Sequence, residues 1–146
     1  MCAHDIAPCV MVTYLVGTDG AEASEALRDF LERSIAPGDT VEVVNVIPDN
    51  DVETIDAGEA ALEAFEGAFD DRVTVRTRQV NRGRDPSTEL VEMAREVDAD
   101  RIVMGLRQHS RTERIIFGSV AQSLLKKVDR PITLVPLPEY TVVERE

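Results

Sequence analysis

Lysine is nearly absent from this 146-residue chain. Lys126 and Lys127 stand alone among arginines, and the basic total of 16 faces 28 Asp and Glu residues. The resulting net charge of -12 gives a surface that repels phosphate backbones, which excludes a general DNA- or RNA-binding role. Cysteine is scarce as well. Cys2 and Cys9 build no disulfide framework and fit a reducing compartment. With His4 they offer three metal-ligating side chains, but three ligands crowded into one chain terminus make a poor site, and no metal is expected there. No run approaches the ~18 apolar residues of a membrane span. The opening MCAHDIAPCV lacks the basic start of a secretory signal. These absences point to a soluble cytoplasmic protein without a membrane partner.

Motif absences narrow the chemistry. A P-loop needs a lysine directly after its second glycine, and no lysine follows any glycine here. The S-G-G-x-D-S and H-x-G-H turns of adenylylating α/β enzymes are missing; the corresponding stretch reads TDGAEAS. His109 and Ser110 are adjacent, but sequence neighbours rarely meet as base and nucleophile, and there is no G-x-S-x-G elbow. No catalytic residue is expected.

What is present is an alternation of strand and helix. An apolar fraction of 43% supports one packed domain rather than disorder. VMVTYLVGT (10–18) is a near-continuous apolar run, as in a strand covered on both faces. Ala23, Leu27, Phe30, Leu31 and Ile35 then share a helical face, closed by Pro37-Gly38-Asp39. TVEVVNVI (40–47) reads as a second buried strand. In the acidic stretch 49–71, Ala61, Leu62, Phe65 and Phe69 predict a helix over the second half, after a looser start at Asp56-Ala57-Gly58. VTVRTRQV (73–80) alternates strictly, with Arg76 and Arg78 on one face, and predicts an edge strand. Asp85-Pro86 is a cap followed by proline at the first helical position, and Leu90, Val91, Ala94 and Val97 follow as the apolar face. RIVMGL (101–106) is a fourth strand. Ile115, Ile116, Val120, Leu124 and Val128 trace a last helix, and PITLVPL (131–137) a fifth strand. The expectation is a single-domain α/β fold: a doubly wound five-stranded parallel sheet with helices on both faces. Residues 11–137 form the domain, between a mobile N-terminal extension (1–10) and a short tail (138–146).

Ligands of such sheets sit beyond the carboxyl ends of the strands, where strand order reverses. Asp19 ends the first strand and Gly105 the fourth, so neighbouring placement would put both on one crevice. Gly105 has no Cβ and can take positive φ. Gly118 and Ser119 stand at the entry to the last helix, where unpaired amides and the helix dipole favour an anion. Arg107, Arg111 and Arg114 bring positive charge to an acidic chain. These features describe a phosphate cradle. The same residues also read as turn glycines, a helix-capping serine and solvated arginines.

The stretch MGLRQHSRTERIIFGSVAQSLL followed by RPITLVP resembles the signature of the universal stress protein family, whose nucleotide-binding branch carries G-x2-G-x9-G-[ST]. Gly105, Gly118 and Ser119 fit that spacing, while Gln108 stands where the pattern has its middle glycine. YLVGTDGAEASEAL and VVNVIPD are similar to the family's first strand and second-strand end, so the likeness spans nearly all of 11–136. It implies a Rossmann-like fold related to the adenine nucleotide alpha hydrolases. It also implies a pocket for ATP or another adenine nucleotide, with Mg2+ as companion ion. By position, Asp19 would hold the ribose or adenine side and the Val46 backbone would meet the adenine. Gly105, Gln108, Gly118, Ser119 and the Val120 amide would face the phosphates, with Gly17 and Met104 completing the set. If position 108 needs positive φ, glutamine costs on the order of 1 kcal/mol.

The family likeness further implies a homodimer through the last strand, PITLVPLP, an apolar edge that pairing would cover. Two functions remain in view. One is a stress-response sensor or regulator that binds nucleotide. The other is a dimeric interaction protein of the same fold with an empty pocket. Few lysines and many carboxylates also match proteins of salt-loving archaea, although an acidic protein from a GC-rich genome gives the same composition.

Overall fold

The computed structural model describes residues 11–47, 51–81, 83, 85–106 and 119–137. The expected N-terminal extension, the segment 107–118 with its arginines and the expected helix positions Ile115 and Ile116, and the tail lie outside them. Five strands and four helices alternate: β1 (Thr13–Gly17), α1 (Ala21–Glu32), β2 (Thr40–Val46), α2 (Val52–Glu63), β3 (Thr74–Val80), α3 (Pro86–Glu96), β4 (Arg101–Leu106), α4 (Ser119–Lys127) and β5 (Ile132–Pro136). The strands form one sheet in the order β3-β2-β1-β4-β5, every neighbouring pair parallel. This is the expected doubly wound sheet, with its order reversing between β1 and β4.

Side chains alternate across each strand, and the two faces bury different helices. Leu15, Val44, Ile102 and Met104 meet Leu90, Met93 and Ala94 of α3 and Ala121 and Leu124 of α4. On the opposite face Tyr14, Val16, Val41, Val43 and Val103 meet Leu27 and Leu31 of α1 and Leu62 of α2. Each large side chain buried in this way contributes ~1.5–3 kcal/mol relative to exposure.

β3 is an edge strand, as its alternation predicts. Arg76 and Arg78 lie on one face of it, where Arg76 Nη1 donates to the buried Glu42 at 2.6 Å and Arg78 pairs with Glu96 at 3.5 Å. The Asp85-Pro86 start also holds: the Asp85 side chain accepts from the Thr88 amide at 3.3 Å, with proline in the first turn.

The second helix differs from expectation. It occupies the first half of its segment, runs through Asp56-Ala57-Gly58, and stops at Glu63. Asp51 starts it, accepting from the Thr54 amide at 3.3 Å and the Thr54 hydroxyl at 3.2 Å. Phe65 and Phe69 come from the turns beyond, closed by Gly67 at φ 68°. Both phenylalanines still serve the core, with ring centroids 6.4 Å apart and Phe65 fully buried. The apolar spacing was a true burial signal, but a turn delivers those two rings. Likewise α1 ends at Glu32, before Ile35 and Pro37, and α4 ends before Val128, although Ile35 and Val128 both pack on the core.

Candidate functional site

β1 and β4 are adjacent, and their carboxyl ends are in register, with Gly17 opposite Met104. On its other side Gly17 pairs with Val44, two residues before the end of β2 at Val46. The reversal of strand order therefore brings Gly17, Met104, Gly105 and Val46 to one edge of the sheet. Asp19 is exposed two residues past β1, in the turn that leads into α1. Ser119 opens α4 and Val120 follows, half-buried, on the α3/α4 side. Gln108, Gly118, Arg107, Arg111 and Arg114 lie outside the described residues.

The glycines are explained by packing. A Cβ on Gly17 would lie 3.1 Å from Leu90 Cδ2, so this strand end admits α3 closely. A Cβ on Gly105 would lie 2.8 Å from three side-chain carbons of Leu137. Gly105 sits in β4 and is not among the positive-φ glycines of the described residues, which are Gly38, Gly67 and Gly83. Of the two uses the sequence left open, positive φ is thus not the one this position makes. Leu137 occupies the room that the missing side chain leaves.

The turn carrying Asp19 is tied down by a polar cluster that sequence reading did not single out. The Thr18 amide donates to Val44 O at 3.1 Å, continuing the β1–β2 ladder. The Thr18 and Ser24 hydroxyls meet at 2.7 Å, and Ser24 Oγ donates to Ala61 O in α2 at 2.8 Å. Asn45 Nδ2 donates to Thr18 O at 2.9 Å. Gln79, opposite Asn45 in the sheet, donates from Nε2 to Asn45 Oδ1 and to Ile55 O, each at 3.1 Å. Asn45 is 2% exposed and Ser24 0%, so these bonds replace water rather than compete with it. Gly58 makes the cluster sterically possible, because a Cβ there would fall 2.6 Å from Gln79 Nε2 and closer still to Asn45. Two signals were available in the sequence. One was the lone amide in VVNVI, and the other a glycine inside a helical stretch.

Helix starts at this edge differ in charge. The first turns of α1, α2 and α3 carry Glu22, Glu53 and Glu89, whereas that of α4 has no acidic residue and its last turn holds Lys126 and Lys127. Carboxylates already complement the dipoles of the first three helices, whereas the described first turn of α4 holds none. At the start of α3, the Ser87 hydroxyl and then the Lys127 ammonium hold the Asp85 carboxyl down to about 2. Lys127 Nζ also donates to Ser87 Oγ at 2.9 Å and Thr88 Oγ1 at 2.8 Å, which ties α4 to the cap of α3. Among the described residues no cluster of His, Cys, Asp or Glu is arranged to hold a metal ion. No helix among them is long and apolar enough to cross a membrane. Cys2, His4 and Cys9 lie outside them.

Sheet order and register define a doubly wound α/β protein whose strand order reverses between β1 and β4. Residues 13–136 match the Universal stress protein family, and the chain belongs to that family. It is similar to the stress response protein NhaX of Bacillus subtilis, 41% identical over 51 residues, which cover 35% of this chain and 31% of that one. The matched part spans about a third of the length of the curated relatives. Among solved structures, a universal stress protein from Archaeoglobus fulgidus has a TM-score of 0.70 at 27% identity, covering 86% of this chain and 99% of its own. The universal stress protein from Archaeoglobus fulgidus in complex with dAMP has a TM-score of 0.64 at 25% identity, covering 87% and 99%.

Proposed function

We propose that this chain binds ATP or a related adenine nucleotide in the crevice between Asp19 and the start of α4, and serves as a sensor or regulator in a cytoplasmic stress response. The observation that carries this reading is the β1/β4 edge. It sets Gly17 opposite Met104, holds Asp19 at its lip, and belongs to a sheet whose last helix starts without a carboxylate. The likeness to a protein solved with dAMP supports an adenine ligand. In this reading Asp19 and the Val46 backbone take the nucleoside side. Gly105, Gln108, Gly118, Ser119 and the Val120 amide take the phosphates, with Mg2+ as counter-ion when ATP is bound. No general base or nucleophile is assigned, so turnover is slow or absent. The same reading includes a homodimer through β5, and a wild type that is monomeric in light scattering at high concentration would count against it.

The test is calorimetry with ATP and AMP, with and without Mg2+, on wild type and Gly118→Val. Wild-type binding that the valine abolishes is the expected result. Equal binding by both would move the site elsewhere. A second reading, a dimeric interaction protein with no nucleotide, draws on Leu137, which takes up the room beside Gly105, and on Gln108 in place of a glycine. Absence of binding at millimolar ATP would decide for it.

A further inference from the structure

We infer that Asn45 is a positioning residue of the nucleotide site, acting through the Thr18 carbonyl on the turn that carries Asp19. The ligand half of this inference rests on the reading above; the anchoring half does not.

Thr18 is the last inward-facing residue before the exposed Asp19, and each of its polar groups is engaged. Its amide donates to Val44 O, its hydroxyl meets Ser24 Oγ, and its carbonyl accepts from Asn45 Nδ2 at 2.9 Å. The first bond belongs to the ladder and the second to α1. The third comes from the neighbouring strand and acts on the peptide that joins Thr18 to Asp19. Because that peptide is planar, holding its oxygen also orients the Asp19 amide and limits where its Cα can go. Asn45 is itself oriented by Gln79, whose Nε2 occupies Asn45 Oδ1 at 3.1 Å and leaves Nδ2 to face Thr18. Gln79 is held in turn by Ile55 O of α2 at 3.1 Å. An amide pair in an otherwise apolar layer is costly unless all its bonds are made, and here α2 has a glycine at the point of contact. Three strands and a helix thus converge on one carbonyl. A ligand-binding turn gains from such support, because affinity rises when the bound geometry is ordered beforehand.

The test compares wild type with Asn45→Asp, Gln79→Met and Ile102→Val. The aspartate keeps the acceptor for Gln79 but cannot donate to Thr18 O when ionised. The methionine removes the group that orients Asn45. Ile102→Val trims the opposite face of the sheet and controls for loss of stability alone. Amide hydrogen exchange without ligand is followed at Thr18 and Ser24, whose N–H groups bond Val44 O and Gly20 O at 3.1 and 3.0 Å. ATP affinity is measured in parallel by calorimetry. Asn45→Asp and Gln79→Met should speed exchange at these two amides about tenfold relative to Ile102→Val, and weaken ATP about tenfold. If Asn45→Asp does not fold, Gln79→Met decides alone. Exchange no faster than in Ile102→Val overturns the anchoring. A loosened turn with unchanged ATP affinity overturns the positioning role. A loosened turn in a protein whose wild type binds no ATP upholds the anchoring and removes the nucleotide reading instead.

Discussion

Gly58→Ala sets two effects of known size against each other. In a helix interior, alanine is favoured over glycine by ~0.8–1 kcal/mol, so propensity alone predicts stabilisation. The new Cβ, however, would fall 2.6 Å from Gln79 Nε2 and closer to Asn45. Neither amide is a loose surface group: Asn45 is bonded to Thr18 O at 2.9 Å and Gln79 to Ile55 O at 3.1 Å. Room can come from parting the two amides, at ~1–3 kcal/mol for buried groups left unmet. It can also come from lifting α2 off the sheet, at ~1–3 kcal/mol for an overpacked core. Over most of this range either route outweighs the propensity gain, and the expected net loss is about 1 kcal/mol. At roughly 2–4 °C per kcal/mol for a chain near this size, Tm should fall by about 2–4 °C. Urea unfolding should show a lower midpoint with unchanged slope. In an Asn45→Ala, Gln79→Ala background the obstruction is gone, and the same Gly58→Ala change should become neutral or stabilising by up to ~1 kcal/mol. A higher Tm for Gly58→Ala in the wild-type background would refute the reasoning, since α2 would then not be pressed against the amide pair.

Asp85→Ala removes the side chain that caps α3 and meets Lys127 at 3.1 Å, and should cost about 1 kcal/mol in urea titrations. The carboxyls of Asp85 and Asp70 are both lowered to about 2, Asp85 first by Ser87 and Asp70 first by Arg72. Their contribution is therefore present above the unfolded value of roughly 3.9 and is lost as pH falls from there toward 2. Wild type should lose stability more steeply than Asp85→Asn across that window, and parallel slopes would count against the assignment. Gly105→Ala should be coupled to Leu137→Ala by about 1 kcal/mol or more in a double-mutant cycle, because the new Cβ would lie 2.8 Å from Leu137; additive losses would show the contact to be slack. With a net charge of -12, self-repulsion acts across ~30 Å at 0.01 M salt and about 3 Å at 1 M. Melting temperature, and with it ATP affinity, should therefore rise toward molar KCl, and a flat melting temperature would make the acidic surface incidental.

Element order and the edge position of β3 were legible because they rest on local periodicity, whereas the strand order β3-β2-β1-β4-β5 came only from the structure. A strand buried on both faces reads as a continuous apolar run, and a half-exposed one alternates, as Arg76 and Arg78 do in β3. The cap at Asp85 was legible because its partner is only three residues away. The sequence placed Asp19 and Gly105 together only on the condition that β1 and β4 are neighbours, and the sheet meets that condition. The end of α2 was hidden: Phe65 and Phe69 keep helical spacing with Leu62, and burial rewards that spacing whether a helix or a turn presents the rings. The roles of Gly58, Asn45 and Gln79 were decided only by tertiary contact. Residues 45 and 79 are 34 positions apart, and they meet because β2 and β3 pair in one register out of several that the sequence permits. Gly105 was ambiguous for the same reason. Its lack of a Cβ is a property of the sequence, but whether a ligand or Leu137 uses the room depends on where the end of β5 comes to lie.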